Sequence, residues 1–366
     1  MNIKEKELFL LLCNFKKPNV VKIKKRIEQK CATPEVLGHL FSNRMAVVAN
    51  GVLKEARLLD KVDREFRSAL GYAELCYERR NREYFGCLNF VSAELNACEV
   101  PYALLKGAYL CSKYPKGYRV SNDIDVLVLP EDVGTISTRL KMAGFRQGHV
   151  KNGVFIPATR QEIIESKMTR GETIPFIKET KLSFCKYLEV DLNFSLDYKN
   201  SEGNTVSEML SRVRTVPIEG GKIQTLDPYD FVLHVCAHLY KEATTMPWVR
   251  MQRDMTFYKY SDIRVLLEDL TEQDMEALLA RAKEYGLENE LAYGLNSAIA
   301  FFGFDCKKWL DRLPCEGLND VIDPAAKNYY RYTESDLCRR FFSKDRTKML
   351  EEVPFDGKPV EDDTSR

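Results

Sequence analysis

The spacing of apolar residues changes twice along the chain. Through residues 1–98 apolar residues recur every three or four positions among charged ones, most clearly over residues 35–59 and 63–96. This period predicts amphipathic helices, and Pro101 marks the end of the last one. Shorter alternating runs follow, and then the helical period returns.

These periods predict an α+β protein in which a sheet-containing core lies between helical regions. The predicted regions are an N-terminal helical region (1–98), a mixed core (99–225), a C-terminal helical domain (226–350) and a disordered tail (351–366).

Two predicted strands of the core carry acids on one face. Acidic and apolar residues alternate at the start of residues 123–129, so Asp123 and Asp125 point the same way, about 7 Å apart. Residues 187–196 alternate similarly and place Asp191 on a polar face. If the two strands are neighbours, Asp191 completes a three-carboxylate cluster.

Carboxylates in this arrangement suit phosphate chemistry. Mg²⁺ prefers hard oxygen ligands and is usually held by one or two carboxylates together with substrate phosphates. Three acids could hold two ions for an in-line displacement at phosphorus. The simpler interpretation, that the acids form a solvated strand end, stays open at this point.

A Lys-Gly turn precedes the acidic strand. Residues 102–105 are predicted to form a strand that leads into Lys106 and Gly107, and residues 107–113 a short helix. A lysine and free backbone amides at such a turn can bind phosphate. Lys106 could equally be an ordinary surface lysine.

The segment 105–128, together with Asp191, resembles the nucleotidyltransferase superfamily typified by DNA polymerase β. Within it, the chain is most similar over residues 60–270 to the bacterial branch described as uncharacterised nucleotidyltransferases. The shared elements are Leu105-Lys106-Gly107, Arg119, Asp123-Ile124-Asp125, Gly144-Phe145 and the paired histidines His234 and His238.

This resemblance implies a polymerase β-like nucleotidyltransferase core, a mixed sheet with helices, flanked by helical regions. It also implies an enzyme that moves an NMP group from an NTP to a hydroxyl or phosphate of an acceptor. The implied cofactor is Mg²⁺, as two ions, with Mn²⁺ as a substitute. The implied catalytic and metal-binding residues are Asp123, Asp125 and Asp191, and the nucleotide-binding residues are Lys106, Gly107, Arg119 and Ser121.

The chain departs from the wider superfamily immediately after Gly107. Many members have a Gly-Ser pair there, whose hydroxyl helps to hold the terminal phosphates, whereas this chain has Ala108. Lys106 could compensate as a point charge. Arg119 and Ser121 are the next candidates for contacts with the triphosphate or the base.

Composition bears mainly on the acceptor. The net charge of +1 over 366 residues gives no general attraction to nucleic acid or membrane. We therefore favour a small molecule or peptide as acceptor. The alternatives are a toxin-like enzyme that modifies tRNA or a protein, and a nucleotide-binding scaffold that has lost turnover.

The chain is expected to be cytoplasmic. Its N-terminus lacks the form of a secretory signal, and its apolar runs are too short to cross a membrane. The 11 cysteines are scattered without a CxxC pair, which agrees with buried free thiols in a reducing compartment.

Two further features lie beyond residue 226. His234 and His238 are four positions apart, but no HExxH motif is present, so a packing or hydrogen-bonding role is favoured over zinc. Four residues, Trp248, Arg250, Asp254 and Asp262, fall in a region that resembles the family's helical domain, where they could line an acceptor pocket.

Overall fold

The computed structural model describes residues 1–169, 171–196 and 205–354. These residues form two compact units. The helical unit contains Met1–Tyr77 and the described residues from Val235 onward. The sheet unit contains the described residues of Glu78–His234. Most of the predicted tail, residues 355–366, lies outside the described ranges.

The α-helices begin and end at the following residues. They are α1 Ile3–Cys13, α2 Val20–Glu28, α3 Pro34–Ser42, α4 Ala46–Glu55, α5 Arg64–Asn96, α6 Gly107–Lys113, α7 Val133–Met142, α8 Arg160–Thr169, α9 Thr205–Ser211, α10 Pro228–Ala243, α11 Met246–Arg250, α12 Phe257–Glu268, α13 Glu272–Glu284, α14 Glu288–Phe302, α15 Lys307–Leu310 and α16 Leu337–Phe341. None of these helices has the length and apolarity that a bilayer span requires, as far as the described ranges extend.

The strands fall into two sheets. They are β1 Tyr102–Leu104, β2 Asp123–Val128, β3 Arg146–Lys151, β4 Val154–Pro157, β5 Phe176–Glu179, β6 Tyr187–Asn193, β7 Arg214–Ile218, β8 Gly221–Thr225, β9 Asp320–Asp323, β10 Asn328–Tyr332 and β11 Leu350–Val353.

The sheet unit is built on an eight-stranded sheet in the order β4-β3-β5-β6-β2-β1-β8-β7. The β2–β6 and β1–β8 pairs are parallel, and the other pairs are antiparallel. The predicted α+β class with a mixed sheet is therefore confirmed. The two central strands β2 and β6 carry the acids that the sequence analysis singled out.

Turn residues explain two tight hairpins of this sheet. The predicted hairpin around Gly220 is present, with Gly220 at φ +81° and Ile218 paired with Gly221. In the β3–β4 hairpin, Asn152 and Gly153 both have positive φ, as a tight two-residue turn requires. These turns fix the register of the pairs they join.

The helical unit is organised around aromatic side chains. The Phe257 ring lies 5.1 Å from Phe9, 5.3 Å from Phe301 and 5.3 Å from Phe341, measured between ring centroids. Helices from both ends of the chain thus share one core. Because aromatic rings bury large apolar areas, this cluster is a major source of the unit's stability.

The structure differs from the sequence analysis in the C-terminal region. There β9, β10 and β11 form a three-stranded antiparallel sheet, although the pattern after residue 228 indicated only helices. Residues 351–353, assigned to the tail, pair with β10. Val321 and Tyr332 pack on helix α11, so tertiary burial outweighs the weak local pattern.

The cysteines agree with the expectation of free thiols. Within the described ranges none of them forms a disulfide, and most are buried, for example Cys13, Cys87 and Cys236. They behave as small apolar core residues.

Candidate active site

The acids on β2 and β6 lie side by side. The strands are parallel neighbours, with Asp123 opposite Glu189 and Asp125 opposite Asp191. Because side chains alternate along a strand, all four carboxylates project from the same face. We call these four residues the acidic patch. The expected proximity of Asp191 to the first two acids is present, with Glu189 as an additional member.

The other face of these strands is core. Ile124, Val126, Val190 and Leu192 are fully buried. Their burial fixes the register, since a slip by one residue would turn the acids inward. The hydrophobic pattern is thus what holds the acidic patch on the opposite face.

The acids of the acidic patch raise the pKa of two of its members, Asp191 and Glu189. Burial raises the pKa of Asp191 well above its usual range, and the charges of Asp125, Glu189 and Asp123 raise it further. The pKa of Glu189 is also raised, by burial and then by Asp123 and Asp125. Clustered carboxylates resist joint ionisation unless a cation joins them.

Lys106 supplies one positive charge to the acidic patch. Its Nζ donates a hydrogen bond to Asp125 Oδ1 over 2.8 Å. Burial lowers the pKa of Lys106, but the charge and hydrogen bond of Asp125, with Asp123 and Asp191, outweigh that effect and raise it overall. Lys106 therefore stays protonated across the physiological pH range.

The backbone at Lys106 is strained. Its φ of 42° and ψ of −117° lie in a region that L-residues rarely adopt, at a cost of about 1–3 kcal/mol. On one side, Leu105 N–H bonds the carbonyl of Asp125 at 2.9 Å. On the other, Leu110 N–H bonds the carbonyl of Lys106 at 2.9 Å and begins α6. The strained turn thus passes directly from β1 into α6 next to Asp125.

Gly107 is required by a close approach. A Cβ at this position would lie 2.2 Å from Ser121 Oγ and 2.4 Å from Ser121 Cβ. Ser121 in turn donates a hydrogen bond to Asp123 Oδ1 at 3.0 Å. A hydroxyl therefore does lie beside Gly107, but Ser121 supplies it, and Ala108 is buried in the core.

Tyr84 of helix α5 also contacts the site, although its position in the sequence did not indicate this. Tyr84 is 1% exposed, and its hydroxyl donates to the carbonyl oxygen of Asp123 at 2.9 Å. Burial raises the pKa of Tyr84 well above its usual range, so the hydroxyl remains a donor. The helical spacing of Tyr84, Leu88 and Leu95 indicated a buried stripe but not this contact.

Arg119 lies two residues before Ser121 and is buried. Its guanidinium donates to the carbonyl of Val120. Arg80 of α5 bonds the side chain of the neighbouring Asn122. The 119–122 segment is thus anchored by its own arginine and by α5. A role of Arg119 in nucleotide binding stays a prediction.

The paired histidines lie on helix α10, outside the two strands that carry the acidic patch. His234 is buried, and His238 Nε2 lies 3.3 Å from Glu242 Oε1.

The acidic patch fits a divalent cation in its chemistry. Across the described ranges, no group of three or more His, Cys, Asp or Glu side chains is already arranged around a metal position. Asp123 and Asp125 instead accept hydrogen bonds from Ser121 and Lys106. However, all four carboxylates of the patch offer hard oxygen ligands. A bound Mg²⁺ or Mn²⁺ relieves the mutual repulsion of such carboxylates.

The paired acids and the Lys-Gly turn, on which the resemblance to nucleotidyltransferases is based, lie together on the mixed sheet. The family model described as "Uncharacterised nucleotidyltransferase" matches residues 35–303, and the chain belongs to this family. Comparison with curated proteins found no match.

Several solved structures show remote similarity. An antigenic nucleotidyltransferase-like protein from Paracoccidioides brasiliensis is 15% identical with a TM-score of 0.32, over 60% of this chain and 97% of that one. The antibiotic-resistance factor ANT(2'')-Ia in solution is 13% identical with a TM-score of 0.34, over 58% and 98%. ANT(2'')-Ia in complex with adenylyl-2''-tobramycin is 12% identical with a TM-score of 0.32, over 53% of this chain and 93% of that one. Family membership rests on the family model and not on these structures.

Proposed function

We propose that the protein transfers an NMP group from an NTP to a hydroxyl or phosphate of a small molecule or peptide, in a metal-dependent reaction. One observation carries the proposal. Asp125 and Asp191 are paired in register on parallel strands, and Lys106 of the Lys-Gly turn contacts Asp125. Membership of a nucleotidyltransferase family supports the reaction class.

The acids Asp123, Asp125 and Asp191 would hold two Mg²⁺ ions, and Mn²⁺ could replace them. When bound, the ions would neutralise phosphate charge and favour ionisation of the acceptor.

The chain's own residues would orient the substrates. Lys106, as a protonated amine, would exchange part of its contact with Asp125 for the triphosphate, and the Gly107 amide would face the same group. Ser121 would orient both Asp123 and a phosphate oxygen, and Arg119 would hold the segment that carries Ser121. Asp191 would help to remove the acceptor's proton.

The reaction is a single displacement. The acceptor oxygen forms a bond to the α-phosphorus while the bond to the β-phosphate oxygen breaks, and pyrophosphate leaves. Positioning and charge neutralisation would supply most of the rate enhancement.

The direct test measures pyrophosphate release from each NTP with Mg²⁺ or Mn²⁺, together with Mn²⁺ binding. We expect Asp125→Asn to lower turnover on the order of a thousandfold and to weaken Mn²⁺ binding, because it removes a charged ligand. The matched control is Glu131→Gln, an exposed acid just after β2. Full turnover by a folded Asp125→Asn protein would overturn the mechanism.

The near-neutral charge favours a small acceptor over tRNA. Transfer to tRNA should weaken steeply as salt rises, whereas transfer to a small neutral acceptor should change little. NTP binding without release of pyrophosphate, in the presence of candidate acceptors from a cell extract, would instead favour the inactive scaffold.

A further inference from the structure

A concave site lies in the sheet unit, lined by residues other than those of the acidic patch. It is a groove of about 530 Å³ between helix α5 and strands β5 and β6, a volume in the range of small-molecule sites. Phe90, Leu182 and Leu188 provide much of its apolar lining. Phe90 and Leu182 are 36% and 38% exposed, so their apolar surface is accessible.

The groove is separate from the acidic patch. Leu188 lines the groove, and the next residue of β6 is Glu189, a member of the patch. Because successive side chains of a strand point to opposite faces, the two sites lie on opposite faces of the sheet. A ligand in the groove would therefore not occupy the proposed nucleotide site.

Positive charge predominates around the groove. Arg82 and Lys178 line it, and neither forms an ion pair with any carboxylate in the described ranges. The acid of the lining, Glu83, is already engaged. It accepts hydrogen bonds from the backbone N–H groups of Phe184 at 2.7 Å and Cys185 at 3.1 Å.

Lys178 is held over an aromatic surface. Its Nζ lies 4.5 Å from the centroid of Phe90 and donates to the carbonyl oxygen of Ala143 at 2.6 Å. Phe90 itself stacks on Phe145, with 6.3 Å between the ring centroids. A fixed ammonium beside an apolar floor is suited to a ligand with an anionic group on an apolar body.

Gly86 leaves space in the groove. It lies in the interior of α5, where glycine is less favourable than alanine by about 1 kcal/mol. No atom lies within 4 Å of the position that its Cβ would take. A larger residue would thus fit the helix and would fill the groove instead.

We propose that this groove binds a small organic acid with an aromatic or short acyl body. The body would lie on Phe90, Leu182 and Leu188, and the anionic group would contact Arg82 and Lys178.

The test uses the full chain and defined probes. Binding of anilinonaphthalene sulfonate is followed by its fluorescence, and octanoate and octanol are compared as competitors. Gly86→Leu should abolish probe binding by filling the groove. Gly71→Leu, the same change in the same helix at another position with open space, should not. Arg82→Gln and Lys178→Met should each weaken octanoate about fivefold and leave octanol unchanged.

Three outcomes would overturn the proposal. They are equal probe binding by the wild type and Gly86→Leu, equal competition by octanoate and octanol, and no binding of probe or octanoate by the wild type. Circular dichroism and melting temperature of each variant show that it is folded. None of these outcomes bears on nucleotide turnover, so the test is independent of the proposed function.

Discussion

Buried acids are present in both units, but they are neutralised in different ways. In the sheet unit, four carboxylates share a patch, and within the described residues Lys106 is the cation that hydrogen-bonds to it. In the helical unit, Asp254 is 1% exposed and is held by Arg346, with Nε–Oδ2 at 2.7 Å and a second contact from the same guanidinium.

The pKa of Glu242 shows this difference, whereas at Asp254 burial outweighs Arg346 and raises the pKa of the carboxyl. Burial would raise the pKa of Glu242 in the helical unit, but His238 and Lys259 lower it to about 2. The pKa of Asp191 is instead raised by burial and by its acidic neighbours. Burial alone therefore does not distinguish a structural acid from a candidate ligand. The balance of charge around the acid does.

The largest expected effect is a difference in stability between a variant of the helical unit and a variant of the sheet unit. We expect Asp254→Asn to lower the free energy of unfolding by about 3–5 kcal/mol, because it leaves the Arg346 charge buried and unpaired. Asp125→Asn should change it by less than about 1 kcal/mol, since Lys106 keeps other acidic neighbours. Both tryptophans, Trp248 and Trp309, lie in the helical unit and report its urea unfolding by fluorescence.

Circular dichroism follows the secondary structure of both units in the same titrations, so its comparison with tryptophan fluorescence distinguishes loss of the helical unit from loss of the whole fold. The double variant Asp254→Asn/Arg346→Met is the control and should regain part of the lost stability. Equal losses for Asp254→Asn and Asp125→Asn would remove the contrast between the units.

The next effect concerns acid stability. Because the pKa of Glu242 falls from its ordinary 4.5 to about 2 on folding, its ionised form stabilises the fold by about 3 kcal/mol above pH 4.5. That contribution should be lost as the pH falls from 4.5 towards 2. The measurement compares urea midpoints of wild type and Glu242→Gln over this range. Parallel curves for the two proteins would contradict the assignment.

The smallest effect concerns the support of the acidic patch. Tyr84→Phe removes the hydrogen bond to the Asp123 carbonyl and should destabilise the sheet unit by about 1 kcal/mol. If Tyr84 positions Asp123, Mn²⁺ binding should weaken as well. Phe85→Leu, a neighbouring buried position, is the control for packing alone. A loss of stability with unchanged Mn²⁺ affinity would limit Tyr84 to a structural role.

The acids of the site were predictable from the sequence because strand alternation is a local rule. This rule placed Asp123 and Asp125 on one face and Asp191 on a polar face. Only the structure shows that the two strands are neighbours. Glu189 shares the face of Asp191, but its register with Asp123 is a property of the sheet.

Contacts between distant segments were not predictable. Nothing in the local pattern pairs Tyr84 with Asp123 or Gly107 with Ser121. Asp254, interpreted from sequence as a possible acceptor-pocket residue, has its carboxylate bound to Arg346. The β9–β11 sheet was missed because its strands are short and gain their burial from α11.

The parallel pairing of β2 with β6 also sets an order of events in folding. The two strands are neighbours in the sheet. In the sequence they are separated by two helices, α7 and α8, and three strands, β3, β4 and β5. Such a pairing forms only after a long loop has closed, later than local elements such as α6 or the β7–β8 hairpin. During refolding, the carboxylates would therefore meet only after these local elements have formed. An incompletely folded chain would carry every acid of the patch before the patch itself exists.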